Sequence, residues 1–473
     1  MRGIFKIFVL CLISFVFVLT VEPCCTLADD IDYHYMDYEE ISVQIEKDIA
    51  AYHIPGMAVI VVDADKVLFS ETYGNCNSID TPFIIGSMTK SFTALAVMQL
   101  EEQGKINLDA PISDYMDCSA YLKNPSEGER ITVRQLLNHT SGLGRYQTFA
   151  DARITDTYGT HAYSNVGYDI LGKVIEAVSG ESYENYVDEH IFMPLSMEHS
   201  AATLEKSKEN GLIAGYRNYF GIPVEGEPDY PDGSGETVAA GYITSSVSDM
   251  GKYLQMYING GNGVITSESI DIMFYDNVPQ DDNGLEYYGM GGGYTQQFDQ
   301  PMLIHSGLVE NYTSYMIIFP EKEIGIVVLV NMNDYFVSNN LLGNIIMPLI
   351  GEERTSFPDN AYLLFHLLID MIYLLIIVLA VYPVFSIRRW KTKNKTRGLL
   401  ILDILRHGLL PAFLLALPYL LNTPYRIVWL FVKDLFFVLT ISSVLLLSTG
   451  LYKIIFDIKT NCNVCKQTQK HDS

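Results

Sequence analysis

The chain has 473 residues and a formal net charge of −25, and this length allows about three domains. The charge is unevenly distributed, because residues 29–360 hold 16 Lys and Arg against 50 Asp and Glu, a net charge of −34. Proteins bind phosphate backbones through Lys and Arg, so this acidity excludes nucleic acid as a partner.

The first 28 residues are predicted to be a secretory signal peptide. Arg2 and Lys6 precede an apolar run over residues 7–21, and small residues at 26–28 offer a cleavage site. An uncleaved membrane anchor is the alternative. The cysteine pair at 24–25 suggests lipid attachment, although the residues just before it fit that poorly. In each case the acidic segment is exported.

Helical and strand patterns follow in a definite order along the acidic segment. The predicted helices cover residues 41–53, from about 87 to 104, 133–138, 168–178 and 339–349. The predicted strands cover residues 57–63, 66–72, 302–305, 313–319 and 324–330. Strands at both ends with helices between them predict an α+β fold, in which an antiparallel sheet flanked by helices carries an inserted all-helical subdomain.

The last part of the chain is predicted to cross a membrane three times, over residues 361–385, 399–421 and 427–452. The loop 386–398 carries six basic residues and no acidic one. By the positive-inside rule this loop and the tail 453–473 are cytoplasmic. We therefore expect a multi-pass protein of the cell membrane, with residues 29–355 forming an extracellular domain.

Ionisable residues interrupt the apolar spans. His366 and Asp370 lie four residues apart on one face of the first span, and Lys433 lies in the outer part of the third. Because ionisable groups in hydrocarbon are costly, we expect Asp370 or His366 to pair with Lys433. Such a pair either serves a function or simply holds helices together.

One short stretch has the form of a nucleophile and its base. Ser87 follows a glycine at the start of a predicted helix, and Lys90 lies one turn later on the same face. A serine hydroxyl becomes a good nucleophile only when a neighbour takes its proton, and a lysine can do so if its neutral form is accessible. The alternative is a capping serine beside a solvated lysine.

Two later stretches complete a possible site. Tyr163-Ser164-Asn165 precedes an amphipathic helix, and His305-Ser306-Gly307 ends a predicted strand. Taken alone, the first is typical of a turn and the second of a buried core histidine. Their order and separation after Ser87 and Lys90 favour a catalytic site.

In this order the motifs resemble those of the penicillin-binding-protein and class C β-lactamase superfamily of serine hydrolases, including its DD-peptidase and esterase relatives. The resemblance covers residues 54–349, with supporting stretches at 136–143 and 240–246. It implies a cleft between the sheet and the helical subdomain, no metal, and no cofactor. A histidine stands at 305 where class A enzymes have the lysine of Lys-Thr-Gly.

The resemblance also implies a role for each site residue. Ser87 would form an acyl-enzyme, and Lys90 and Tyr163 would remove and return its proton. Substrate binding would fall to Asn165, which holds an amide, and to the strand residues His305, Ser306, Gly307 and Leu308. His305 would orient Tyr163 and bind a substrate carboxylate when protonated, whereas the backbone N–H groups of Ser87 and Leu308 would form the oxyanion hole.

These expectations predict a membrane-anchored serine hydrolase that acts on envelope D-alanyl peptides or on small amides and esters, so its partners are a peptide or small-molecule substrate and the membrane. Two alternatives stay open, a β-lactamase and a membrane protein that senses a ligand or a β-lactam.

The cysteines give little information about the fold, because a disulfide between Cys76 and Cys118 is allowed but not required. The CxxC at 462–465 lacks a second pair of ligands.

Overall fold

The computed structural model describes residues 33–231, 237–280, 284–295, 301–334, 345–350, 352, 361–392 and 396–471. The predicted signal peptide lies outside these residues. So does the first part of the helix predicted over 339–349, of which residues 345–349 are described and helical.

Thirteen strands are found in the described residues. In chain order they are β1 (Gly56–Val62), β2 (Val67–Gly74), β3 (Phe83–Ile84), β4 (Tyr216–Tyr219), β5 (Ile222–Glu225), β6 (Thr244–Ser245), β7 (Val278–Pro279), β8 (Glu286–Tyr288), β9 (Gly293–Thr295), β10 (Met302–Val309), β11 (Tyr312–Phe319), β12 (Ile324–Val330) and β13 (Met332–Asn333). Eight of them form one antiparallel sheet in the order β2-β1-β12-β11-β10-β9-β8-β7. The sheet thus joins N- and C-terminal strands, as the sequence predicts.

Strand β1, which lies between β2 and β12, is buried on both faces, which explains its uninterrupted apolar sequence. Successive side chains of a strand point to opposite faces, and those of β1 enter two separate cores. Ile60 packs beside Gly251 on the face of the sheet that carries the larger core, whereas Val59 packs in the core on the opposite face. The first helix of the chain contributes Ile45 and Ile49 to this second core.

The part of the chain before residue 353 is called the catalytic part here, after the site predicted in it. Besides the helical residues 345–349, its described residues form eight α-helices, most of them short. They are α1 (Tyr38–Ala51), α2 (Thr89–Glu102), α3 (Val133–Leu137), α4 (Asn165–Ser179), α5 (Tyr183–Val187), α6 (Leu204–Glu209), α7 (Val247–Ile258) and α8 (Ser267–Tyr275). Those between β3 and β6 form the inserted helical subdomain, so the predicted α+β architecture is confirmed. The strands β7 to β9 are not among the predicted ones, because they are two or three residues long and lie in a glycine-rich stretch.

The C-terminal helices are α9 (Ala361–Lys391), α10 (Arg397–Ile404), α11 (Leu410–Leu420), α12 (Tyr425–Phe431) and α13 (Lys433–His471). Three stretches, Tyr362–Lys391, Arg397–Leu420 and Lys433–Thr460, are long and apolar enough to cross a membrane. The third stretch begins later than its predicted start at residue 427, because the helix is interrupted at Val432. Asp434 then lies in the first turn of α13, where a negative charge suits the helix dipole.

The ionisable residues of these helices do not pair as predicted. His366 Nε2 lies 2.7 Å from Asp334 Oδ2 of the catalytic part, and both side chains are buried. Lys433 lies over the Trp429 ring, 5.0 Å from its centre. Because α9 packs against the catalytic part, the nearest partner of His366 is the Asp334 carboxylate and not a lysine of the C-terminal helices.

Further contacts join the β4–β5 hairpin to these helices. The Asn218 side chain donates to the Tyr362 hydroxyl at the start of α9, and the backbone N–H of Phe220 donates to Asp434 Oδ2 at 3.3 Å. The catalytic part is thus attached to the first and third helical stretches at separate points.

Cys76 and Cys118 are both buried and free, so the disulfide that the sequence allows is not formed.

Glu310, in the turn between β10 and β11, makes stability depend on pH. Its Oε1 accepts from the Tyr242 hydroxyl at 3.0 Å, whereas Oε2 has no hydrogen-bond partner among the described residues. Burial raises the pKa of this carboxyl to about 7. The folded state therefore binds a proton that the unfolded state releases, so stability is highest below the unfolded pKa and falls as the pH rises towards 7.

We therefore expect Glu310→Gln to stabilise the protein at pH 8 by up to about 3 kcal/mol and to have little effect near pH 4. Thermal unfolding of the detergent-solubilised full chain at several pH values measures the difference. Glu321→Gln is the matched control, because Glu321 lies exposed in the next turn of the same sheet. A pH-independent difference for the Glu310 variant would contradict the assignment.

Candidate active site

Ser87 lies where a short strand turns into a helix. β3 pairs with β6, the N–H of Ile85 donates to the Ile243 carbonyl at 3.0 Å, and Ser314 Oγ donates to the Ile85 carbonyl at 2.7 Å. A 3-10 turn over Gly86–Met88 then leads directly into α2. The first N–H groups of a helix have no partner within it, so the backbone at Ser87 is suited to bind an anion.

Lys90 lies one turn beyond Ser87 and is fully buried. Its Nζ donates to Ser87 Oγ at 3.0 Å, to Asn165 Oδ1 at 2.8 Å and to the Ala240 carbonyl at 2.5 Å. Three acceptors match the three donors of an ammonium group. The Lys90 side chain therefore joins three separate segments of the chain at one point.

Tyr163 and Asn165 come from the start of α4. The Tyr163 hydroxyl lies 2.8 Å from Ser87 Oγ, and its ring centre lies 4.9 Å from Lys90 Nζ. Ser164 caps the helix by accepting from the Gly167 N–H, which fixes the two flanking side chains. The amine of Lys90 and the phenol of Tyr163 thus both lie within hydrogen-bond distance of the Ser87 hydroxyl.

The opposite wall of the site is the second half of β10. β9 pairs with Met302–Ile304 alone, so its pairing ends before Ser306. Gly307 packs so closely that a Cβ there would collide with the Ile85 carbonyl, and a Cβ at Gly86, whose φ is +56°, would lie 2.6 Å from Leu308 N. Glycine at both positions therefore lets the Leu308 backbone approach the turn that carries Ser87.

His305 lies in the wall of the site, but its nearest partner is not Tyr163. Its Nε2 lies 3.1 Å from the Tyr288 hydroxyl, and its Nδ1 lies 2.7 Å from the Ser306 carbonyl. Burial and the Lys90 charge lower the pKa of His305 to about 4, so the imidazole is neutral at pH 7. The predicted contact with Tyr163 is thus replaced by one with Tyr288. In the free site His305 carries no positive charge with which to bind a substrate carboxylate.

His139 packs against Tyr163 and binds the backbone next to it. Its Nδ1 accepts from the Ser164 N–H at 3.2 Å, and its ring centre lies 4.4 Å from that of Tyr163. Burial and then the Lys90 charge lower the pKa of His139, so it stays neutral. His139 belongs to the supporting stretch 136–143, and the sequence predicts no role for it. Tyr288, which immediately precedes the glycine-rich run 289–293, is not among the predicted site residues.

These side chains surround a cavity of about 460 Å³. It is lined by Ser87, Tyr163, Asn165 and the strand residues 305–308, together with Arg145, Tyr146, Gln147, His161, Gln280, Thr313, Tyr315, Arg426, Ile427 and Phe431. All the predicted site residues therefore meet at one cleft, with Lys90 buried directly beneath Ser87. The last three lining residues belong to α12 and were not foreseen as part of a site.

The cleft and the fold agree with comparisons to known proteins. Residues 43–342 match the family described as Beta-lactamase, which spans more than half of the chain. The protein therefore belongs to the β-lactamase family of serine hydrolases, whose members include penicillin-binding proteins.

Individual relatives support the same assignment. The octameric penicillin-binding protein homologue from Pyrococcus abyssi is 30% identical, with a TM-score of 0.58 over 67% of this chain and 78% of that one. Protein flp of Staphylococcus aureus strain MW2 is 28% identical over 67% of this chain and 68% of its own length. Protein flp of strain MRSA252 is 26% identical over 83% of this chain and 85% of its own length. That share is too large to lie within residues 1–360 alone, so this similarity includes part of the C-terminal helices.

The hydrogen bond between Tyr288 and His305 gives a prediction about stability. Tyr288→Phe leaves a buried imidazole nitrogen without its donor, so we expect the free energy of unfolding to fall by about 1–3 kcal/mol. Thermal unfolding at pH 7 measures the loss. Tyr287→Phe is the control, because no hydrogen bond to the Tyr287 hydroxyl is found in the described part of the chain. Equal effects of the two substitutions would contradict this account of Tyr288.

Proposed function

We propose that the protein is a membrane-anchored serine hydrolase that forms an acyl-enzyme at Ser87. The observation that carries the proposal is that Ser87 Oγ lies 3.0 Å from Lys90 Nζ and 2.8 Å from the Tyr163 hydroxyl, at the floor of one cleft. Membership of the β-lactamase family supports it. The non-catalytic interpretation, in which Ser87 caps a helix and Lys90 is solvated, does not fit a Lys90 side chain that is fully buried.

The Lys90 ammonium favours Tyr163 as the group that takes the proton. All three Lys90 donors have acceptors, so the amine acts as a fixed cation, and a cation this close stabilises a phenolate. Ser87 Oγ then bonds to the substrate carbonyl carbon and its proton passes to the Tyr163 oxygen. Tyr163 returns that proton to the amine or alcohol as the C–N or C–O bond breaks.

Water completes the cycle by attacking the acyl-serine ester. Its proton returns to Ser87 Oγ by the same route, and the carboxylic acid product leaves. The N–H groups of Ser87 and Leu308 are the proposed oxyanion hole, because the Leu308 nitrogen packs against Gly86, the residue just before Ser87. Loss of one such donor typically costs about 2.7–4 kcal/mol of barrier.

We assign the substrate to D-alanyl peptides of the envelope or to small amides and esters. Asn165 is the proposed amide-binding residue, and the open edge of β10 provides backbone groups for an extended substrate. A β-lactamase is less well supported, because His305 is neutral and both its nitrogens have partners. Slow turnover of nitrocefin, or none, is the expected result.

The proposed topology places the catalytic part outside the cell. The basic loop 386–398 and the basic tail 453–473 then lie in the cytoplasm. An odd number of spans places the N-terminal catalytic part and the tail on opposite sides, which agrees with that arrangement.

Covalent labelling tests the nucleophile. A fluorescent penicillin or a fluorophosphonate should label the full chain, and Ser87→Ala should abolish labelling because the attacking oxygen is removed. Ser182→Ala is the control, since Ser182 is an exposed serine that caps α5 by accepting from Asn185 N. Equal labelling of the Ser87 variant and the wild type would end the proposal.

Lys90 gives a second, graded test. Lys90→Met keeps the length of the side chain but removes the cation, so we expect the rate of labelling to fall by about 10²–10⁴-fold. Lys173→Met is the control, because Lys173 pairs with Glu176 away from the cleft. A rate within about twofold of the wild type, in a variant that still unfolds cooperatively, would show that Lys90 is only structural.

A further inference from the structure

One wall of the active-site cleft is formed by the C-terminal helical region. Arg426, Ile427 and Phe431 of α12 line the same cavity as Ser87, Tyr163 and the β10 residues. α12 ends at Phe431, and the third apolar stretch begins at Lys433. The site is therefore bounded on one side by the segment that connects two candidate membrane spans.

The order of the spans places α12 on the same side of the membrane as the catalytic part. A chain that enters the membrane at residue 362 and crosses it twice returns to its starting side by residue 420. This holds whichever side is the cytoplasm, so α12 and the catalytic part share one membrane face.

Aromatic residues around α12 indicate its depth. Tyr419 and Tyr425 pack with ring centres 5.6 Å apart, and Trp429 packs on Phe436 at 5.0 Å. Tyr419 and Trp429 are also exposed. Tyr and Trp at the ends of spans are typical of the headgroup region of a bilayer, so this wall of the cleft lies at the level of the lipid headgroups.

The catalytic part is attached so that α12 stays beside the cleft. The buried contact between His366 and Asp334 and the hydrogen bond from the Phe220 N–H to Asp434 join it to the first and third candidate spans. Asp434 lies only three residues after Phe431, so the second of these contacts fixes the end of α12. These contacts therefore hold α12 in the wall of the cleft.

The chemistry of the wall identifies a class of substrate. Ile427 and Phe431 are half-buried apolar side chains, while Arg426 and, across the cavity, Arg145 are exposed cations. Apolar surface at the membrane side favours a hydrocarbon chain, and the cations favour an anionic group near the headgroups. A wholly polar, soluble substrate would make no use of the apolar side chains.

We propose that the natural substrate is an amphiphile, an ester or amide whose reacting carbonyl reaches Ser87 while its apolar chain runs along Ile427 and Phe431 towards the bilayer. This inference rests on the proposed serine hydrolase function and specifies the substrate of that site. It makes Ile427 and Phe431 specificity-determining residues.

Two fluorophosphonates that differ only in their alkyl chain, ethyl and dodecyl, test the inference on the full chain in phosphatidylcholine vesicles. The quantity measured is the ratio of the labelling rates, dodecyl over ethyl. Phe431→Ala and Ile427→Ala should each lower this ratio, and the double variant should lower it by about tenfold or more, which corresponds to the loss of about two buried methylene groups. Partition of the dodecyl probe into the vesicles is the same for every variant and cancels in the comparison.

Leu421→Ala is the matched control, because Leu421 is exposed just before α12 and does not line the cavity. Its ratio should equal that of the wild type. If the double variant keeps the wild-type ratio, or if the control falls equally, the amphiphile proposal is wrong and the hydrolase proposal stands. If neither probe labels Ser87 in the wild type, the hydrolase proposal itself fails and the inference fails with it.

Discussion

A single buried ammonium group determines how the catalytic cleft is assembled. Lys90 is fully buried, and its Nζ donates to Ser87, to Asn165 at the start of α4, and to the Ala240 carbonyl. A buried charge is costly unless it is hydrogen-bonded, so these three segments must stay in place for the fold to accommodate it. The contacts that offset the cost of burial are also those that hold the amine against the Ser87 hydroxyl.

The sheet supplies what the helices cannot, a rigid backbone edge beside Ser87. β10 is held by β11 along its length, whereas β9 pairs only with its first half. The close contact between Gly307 and Ile85 then sets the distance between this edge and the start of α2. The helical subdomain and the sheet thus each contribute one side of the cleft, which is why the motifs are far apart in the sequence.

The sequence predicts the fold and the motif residues because both depend on local patterns. Ser87 and Lys90 share one helical turn, and Tyr163 and Asn165 flank a helix cap, so spacing alone brings each pair together. Tyr288 could not be found in this way, because its role depends on a contact with His305 across strands. Ile427 and Phe431 were assigned to a span for their apolarity, and their position at the cleft follows only from the break at Val432 and from packing between the two parts of the chain.

The C-terminal helical region is therefore part of the proposed site as well as its proposed membrane anchor, and the proposed function rests on acyl transfer to one serine. The measurement that tests this most directly is the intact mass of the full chain after mixing with D-alanyl peptides, β-lactams and short esters, followed by peptide mapping. The account predicts a mass increase equal to one acyl group, located on Ser87. Turnover of any of these compounds by Ser87→Ala, or an adduct on a different residue, would contradict it.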